Sequence, residues 1–286
     1  MVEDRRRKLL DSGRKLVKKY PYFRPFLAPG KFFLKNSNGI KPRFSGWGMT
    51  SNHELPWNDN YQGEIFRKAK QDLIKQMTFD KKQFGYYYSH PEELLWRHWN
   101  ISYAINWVVR FVKTTEYNFV ECGVGQGFTA FFALREAVGN AKISSNFSMH
   151  LYDSWKIMRD QDMPKGMKDY WASSYDKLDI TITRQNLNEF KNNLIFHNGY
   201  IPESLFEEPK APDTIVYLHI DLNSHKPTLE ALKFFYPRAV HGAIMIFDDY
   251  GHAGFEETKM VIDEFFHDKP GLLQKLPTGQ AIYYHN

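Results

Sequence analysis

Beyond residue 112 the sequence alternates short apolar runs with stretches of helical periodicity, and this alternation leaves few architectures open. Phe119-Val120-Glu121-Cys122, Met149-His150-Leu151-Tyr152, Leu194-Ile195-Phe196, the run 215–220 and the run 243–247 are too short for buried helices, so each reads as a buried strand. The segments between them fit helices at 127–138, 183–191, 228–236 and 255–267. Strands that alternate with helices call for a parallel sheet covered on both faces. The runs 272–276 and 281–284, joined by Pro277-Thr278-Gly279, predict a closing hairpin that adds an antiparallel edge. The expected fold is therefore α/β: a doubly wound, mostly parallel sheet with helices on both faces and a C-terminal antiparallel hairpin. Ligands are expected at the carboxyl ends of the strands, where loops replace regular hydrogen bonding.

The N-terminal third has a different texture. Residues 20–60 are rich in Pro, Gly, Asn and aromatics, and read as a long loop. Within it, Phe44-Ser45-Gly46-Trp47-Gly48-Met49 suits a lid with glycine hinges, or equally a set of aromatics packed on the core. Helices are predicted at 62–79 and 91–112, the second opening with Pro91-Glu92-Glu93. The expected division is 1–85, a basic N-terminal arm with a helical and lid-like loop extension, and 86–286, the main domain.

Charge follows the same division. The net charge is +5, but residues 1–50 hold 13 Lys and Arg against 3 Asp and Glu, a local +10 that leaves −5 for the remainder. Such an arm suits a helix docked on its own body or on a sister subunit, hence a homo-oligomer, or else an attraction to phosphate or anionic lipid. Nucleic acid is not expected, since no aromatic-interleaved basic motif accompanies the charge. A single cysteine, Cys122, excludes an intramolecular disulfide and a Cys-rich zinc site. No transmembrane segment is expected, because no run of about 18 apolar residues exists. The expectation is a soluble, cytoplasmic protein.

The first strand ends in Glu121-Cys122-Gly123-Val124-Gly125-Gln126-Gly127, and a helix follows at once. Glycines let the backbone turn tightly and leave room for a ligand against it. A dinucleotide fingerprint needs glycine at position 128, where this chain has Phe128. A Gly-x-Gly-x-Gly preceded by an acid resembles instead the first motif of class I S-adenosylmethionine-dependent methyltransferases. Asp153, 32 residues beyond Glu121, ends the next strand, where a carboxylate can accept both ribose hydroxyls or stand as a solvated loop acid. Trp155, just past it, suits stacking on an adenine face or packing within its loop.

The fourth strand emerges into His219-Ile220-Asp221-Leu222-Asn223-Ser224-His225 and the fifth into Phe247-Asp248-Asp249-Tyr250-Gly251. If these strands are neighbours, Asp221, Asp248 and Asp249 meet, and their repulsion requires protons, basic partners or a cation. An all-oxygen set suits a hard ion such as Mg²⁺ better than tetrahedral zinc; helix capping and solvated loop acids are the other readings.

Taken in order, Glu121 to Gly127, the run His197-Asn198-Gly199-Tyr200-Ile201-Pro202-Glu203-Ser204-Leu205, Ile220-Asp221 with Pro227-Thr228, and Asp248-Asp249-Tyr250-Gly251 resemble the macrocin O-methyltransferase family. The similarity covers roughly residues 90–286. It implies a doubly wound seven-stranded sheet, S-adenosylmethionine held by Glu121, Gly123, Gly125 and Asp153, and Mg²⁺ held by Asp221, Asp248 and Asp249. Gly127 completes the candidate cofactor loop, with Trp155 beside it. Relatives carry a second aspartate two residues after the first metal ligand, proposed as the general base, where this chain has Asn223. An amide cannot take the proton. His225, or one of the aspartates Asp221 and Asp248, is then the candidate, unless a metal-bound alkoxide needs no dedicated base. The expected activity is Mg²⁺-dependent O-methylation of a small-molecule hydroxyl, on a sugar or glycoside. A catechol or other phenol, or a binding protein that has lost catalysis, are the alternatives.

Overall fold

The computed structural model describes residues 55–58, 63–76, 95–143, 146–163, 178–252 and 254–286. The chain divides into two units, and the larger, Glu54–Gly251 with Phe255–Asn286, contains every helix and strand named below. The basic arm, the Phe44 to Met49 stretch and the start of the second helix at Pro91 to Glu93 lie outside the described residues.

The apolar runs form strands because both of their faces are covered. The strands are β1 (Tyr117–Cys122), β2 (Phe147–Asp153), β3 (Leu194–Asn198), β4 (Ile215–Ile220), β5 (Ala239–Phe247), β6 (Gly271–Lys275) and β7 (Ala281–His285). They make one seven-stranded sheet in the order β3-β2-β1-β4-β5-β7-β6. The first five are parallel, and β7 runs antiparallel to both β5 and β6. This is the doubly wound sheet with a closing hairpin that the sequence pattern predicts. β4 is buried at every residue, as befits a strand between two parallel neighbours.

The helices are α1 (Glu64–Gln76), α2 (Leu95–Phe111), α3 (Phe128–Gly139), α4 (Ile180–Asn186), α5 (His225–Phe235) and α6 (Glu256–Phe266). Alternate strand residues serve two separate cores. Tyr117, Phe119 and Tyr217 join Phe66, Ile101, Ile105 and Phe132 of α1, α2 and α3 on one face. Val120, Cys122, Leu218 and Ile220 join Leu232 and Phe235 of α5 and Phe266 of α6 on the other. Each large side chain so buried contributes roughly 1.5–3 kcal/mol. Helix α1, which composition places with the N-terminal extension, supplies Phe66, Ala69 and Leu73 to the first core and packs on α3.

Two helices start three residues before their predicted limits. The segment expected at 183–191 divides into α4 and a 3-10 turn, Asn188–Asn193. Asp179 caps α4, accepting from the Thr181 N–H at 2.8 Å, and the asparagines from Asn186 onward favour local turns over helix. Helix α5 starts at His225 instead of residue 228, because Pro227 sits in the first turn, where no N–H is needed.

Candidate functional site

The register of the sheet brings the candidate residues to one edge. Glu121 pairs with His219 across β1 and β4, and Ile220 pairs with Phe247 across β4 and β5, so the ends of β1, β2, β4 and β5 lie side by side. The ladders continue one step past the strands: Gly123 donates to Tyr152 O at 2.8 Å, Asp221 to Cys122 O at 2.8 Å, and Asp248 to Ile220 O at 3.0 Å.

Three glycines with positive φ shape the loop after β1: Gly123 (87°), Gly125 (54°) and Gly127 (90°). They are required for different reasons. A Cβ on Gly123 would lie 1.8 Å from the Asp221 carbonyl oxygen, so this glycine lets two strand ends touch. A Cβ on Gly125 would meet nothing within 4 Å, so bare backbone faces open space there. Asp153 fixes this conformation. Its Oδ2 accepts from the N–H groups of Val124 and Gly125, both at 2.8 Å, and its Oδ1 accepts from the Trp155 N–H at 2.7 Å. Burial raises the Asp153 pKa, and these three N–H groups oppose the shift. Trp155 is 4% exposed, and its indole N–H donates to Gly125 O (3.0 Å) and Thr183 Oγ1 (2.9 Å). Its ring packs on Phe196, which is the loop-packing role and not an open stacking face.

At the carboxyl ends of β1 and β4 is a set of buried polar groups with few hydrogen-bond partners among the described residues. Glu121 is wholly buried, and neither carboxyl oxygen has a full hydrogen-bond partner. His219 Nδ1 stands 4.0 Å from Glu121 Oε1, while both nitrogens of His219 and of His98 are also unpaired. Burial, then the charges of Asp221 and Asp153, pushes the Glu121 carboxyl well above its usual range, with a weak backbone contribution from Ala130 opposing. Burial and the nearby Arg97 bring His219 down to about 3 and hold His98 well below its usual value. Both imidazoles are therefore neutral. Orphaned buried polar atoms are rare in native proteins, so a group of them at strand ends is a candidate place for a polar ligand.

The three aspartates do converge, but around a guanidinium. Arg97, in the first turn of α2, donates from Nε to Asp248 Oδ1 at 3.1 Å and pairs through Nη2 with Asp248 Oδ2. The same Nη2 is 3.6 Å from Asp221 Oδ2. Asp248 is 2% exposed and also accepts from Gln280 Nε2 at 2.6 Å, and Gln280 Oε1 accepts from Asn100 Nδ2 at 2.7 Å. The Asp249 carboxyl meets that of Asp221 and accepts the Asn223 N–H at 2.8 Å. Burial, then Asp221, raises Asp249 well above the carboxylate range; burial raises Asp221 too, with Arg97 opposing. Asn223 holds φ 55°, a conformation asparagine tolerates. His225 Nδ1 lies 3.1 Å from Glu257 Oε2 of α6, at the exposed rim of α5.

The model of one family, macrocin O-methyltransferase (TylF), matches residues 97–276, a span that holds all of these groups except Gln280. The chain belongs to that family. It is an S-adenosylmethionine-dependent O-methyltransferase. Among solved structures it is similar to the O-methyltransferase NovP, at 20% identity over 67% of this chain and 80% of that one, with a TM-score of 0.55. A second similar structure, CalS11, a calicheamicin methyltransferase, is 15% identical over 84% of this chain and 98% of that one, with a TM-score of 0.45. No curated protein matches the sequence significantly. The likeness to NovP agrees with the fold. No described helix of this methyltransferase is long and apolar enough to cross a membrane.

The methyltransferase fits its cofactor better than it fits a metal. The open backbone at Gly125 and the unpaired Glu121 carboxyl are groups that a polar cofactor would complete. For Mg²⁺ the expected set was Asp221, Asp248 and Asp249, and Asp248 departs from it: both of its oxygens are taken by Arg97 and Gln280. Among the described residues no group of three acids, histidines or cysteines forms a ligand set for a metal ion. Sequence reasoning missed Arg97, Asn100, His98, His219 and Gln280. One signal was present: Arg97 is a lone cation in the aromatic run Leu94-Leu95-Trp96-Arg97-His98-Trp99, where a charge needs a buried partner.

Proposed function

We propose that this methyltransferase methylates a hydroxyl of a sugar or glycoside. One observation carries the reading: the bare backbone at Gly125, braced by Asp153, lies at the same sheet edge as Asp221, the most exposed of the three clustered aspartates with 28% of its side chain accessible. A polyhydroxyl acceptor suits an edge lined by carboxylates and the Asn223 amide. Bound S-adenosylmethionine would supply a sulfonium methyl group, the acceptor oxygen gaining the bond to carbon that sulfur gives up and S-adenosylhomocysteine being left. The chain's work is mainly to hold the two reactants together, and such positioning is worth roughly 7–11 kcal/mol.

Asn223 cannot take the acceptor proton, so Asp221 does. Asp248 is committed to Arg97, and an Asp249 oxygen holds the Asn223 N–H. His225, the other candidate, is turned to Glu257 on the neighbouring helix. Mg²⁺ has no part in this proposal, because the third carboxylate of its expected set is occupied by a guanidinium.

Incubating the full chain with labelled S-adenosylmethionine and matched panels of glycosides and catechols tests the reading. Methyl transfer to a glycoside oxygen is expected. Transfer confined to catechols would overturn the acceptor class, and cofactor binding without transfer to either panel would point to a binding protein.

A further inference from the structure

We infer that Arg97 is the resident counter-cation of the aspartate cluster and fills the role that a divalent ion plays where such a cluster is free. The inference goes beyond the proposed function and uses it only in the cofactor arm of the test.

The argument starts at Asp248. A hard divalent ion asks for free oxygen lone pairs in near-octahedral geometry at about 2.0–2.1 Å. Asp248 Oδ1 already accepts two donors, Arg97 Nε at 3.1 Å and Gln280 Nε2 at 2.6 Å. Oδ2 is paired with Arg97 Nη2, so a cation bound there would stand against a guanidinium. The carboxylate is 2% exposed and cannot swing away without leaving its charge buried and unpaired.

The donors are themselves held in place. Arg97 and Asn100 are three residues apart on α2, hence on one helical face, and Asn100 Nδ2 donates to Gln280 Oε1 at 2.7 Å. Gln280 is 1% exposed in the turn before β7. The helix and the closing hairpin therefore grip Asp248 from two sides. From this anchor Arg97 Nη2 reaches Asp221 Oδ2 at 3.6 Å, so one guanidinium serves carboxylates from two strand ends. Guanidinium is permanently charged and forked, which suits it to two acids that a point charge would serve less well. Of the four oxygens on Asp221 and Asp249, Asp249 Oδ2 is engaged by the Asn223 N–H, and the two carboxyls face each other. Arg97 is thus a positioning residue for Asp248 and a charge partner for Asp221.

The test reads cation binding directly. Mn²⁺ is titrated into the full-length protein and its free form is followed by paramagnetic resonance, for the wild type, Arg97→Gln and Arg97→Lys. S-adenosylhomocysteine binding is measured by calorimetry with and without chelator. The wild type is expected to show no saturable Mn²⁺ site below about 1 mM, and cofactor-product binding indifferent to chelator. Arg97→Gln, which frees a buried carboxylate, is expected to gain Mn²⁺ affinity of at least about tenfold, and Arg97→Lys less. Stoichiometric Mn²⁺ binding by the wild type at micromolar concentration, lost in Asp248→Asn, would overturn the inference. So would a folded Arg97→Gln protein with no gain. If that variant does not fold, the wild-type titration decides alone. Failure of S-adenosylhomocysteine to bind would count against the methyltransferase reading and leave the cation result standing.

Discussion

The backbone N–H of Gly125 donates to Oδ2 of Asp153 at 2.8 Å, tying the tip of β2 to the glycine loop of β1. The same oxygen accepts from Val124, and Oδ1 from Trp155, so a residue expected to meet the ribose also builds the loop. A carboxylate offers about four lone-pair sites, which leaves room for a ribose hydroxyl. Asp153→Asn puts an amide N–H₂ where only an acceptor fits. Charge-assisted bonds of this kind are worth about 1.5–3 kcal/mol. We expect a fall in thermal midpoint together with at least about a tenfold loss of S-adenosylhomocysteine affinity. A lowered midpoint with unchanged affinity would reduce Asp153 to a loop clamp.

Gly123 and Gly125 separate folding from binding. In Gly123→Ala the new methyl strikes the Asp221 carbonyl at 1.8 Å, a backbone clash that forces two strand ends apart. We expect it to be poorly folded. In Gly125→Ala the methyl enters empty space, and the positive φ costs only about 1–2 kcal/mol. That protein should keep its circular dichroism and lose cofactor-product binding. Retained affinity in a folded Gly125→Ala protein would show that the ligand does not lie against this backbone.

The fold was legible because it depends on burial patterns, and those are written locally: the five short apolar runs and the final hairpin are all present as strands. The convergence of Asp221, Asp248 and Asp249 was legible too, since strand ends of neighbouring parallel strands must meet. What filled the space between them was not. Arg97 arrives on α2, 124 positions before Asp221 in numbering, and Gln280 arrives from the far hairpin, so their contact with Asp248 is a tertiary fact without local period. The neutral state of His98 and His219 likewise depends on burial that no motif announces.

Asp221 and His225 make opposite predictions. If Asp221 takes the acceptor proton, Asp221→Asn lowers kcat by about 10²–10⁴ while S-adenosylhomocysteine affinity changes little. His225→Gln, which only breaks an exposed pair with Glu257, should lower kcat less than about threefold. Single-turnover rates check both. The reverse ordering would move the base to His225.

On the far face of the sheet His150 Nδ1 lies 2.9 Å from His197 Nε2, with Tyr152 stacked on His197 at 3.8 Å. Burial, aided for His150 by its neighbour, lowers both rings to about 4. The folded protein then binds fewer protons than the unfolded chain between about pH 6.5 and pH 4. Their contribution is complete above that window and is lost as pH falls through it. Nitrogen-15 spectra should show both rings neutral at about pH 5.5, where an ordinary histidine is mostly charged.

Glu136 works in the opposite direction. It is 2% exposed between α2 and α3, with Oε1 accepting from Asn106 Nδ2 at 2.6 Å and the Ser102 hydroxyl also against the carboxyl. Burial lifts its carboxyl to about 7 against hydrogen bonds that favour the ion. The folded protein binds the extra proton between about pH 4.5 and pH 7, so this group's contribution is present at low pH and lost as pH rises through that window. Glu136→Gln keeps an acceptor for Asn106 and removes the ionisation. It should stabilise the protein at pH 8 by on the order of 2 kcal/mol and make almost no difference at about pH 4. Urea midpoints at the two pH values check this. Equal effects at both would mean that the carboxyl ionises in place, with water or a counter-charge reaching the α2–α3 interface.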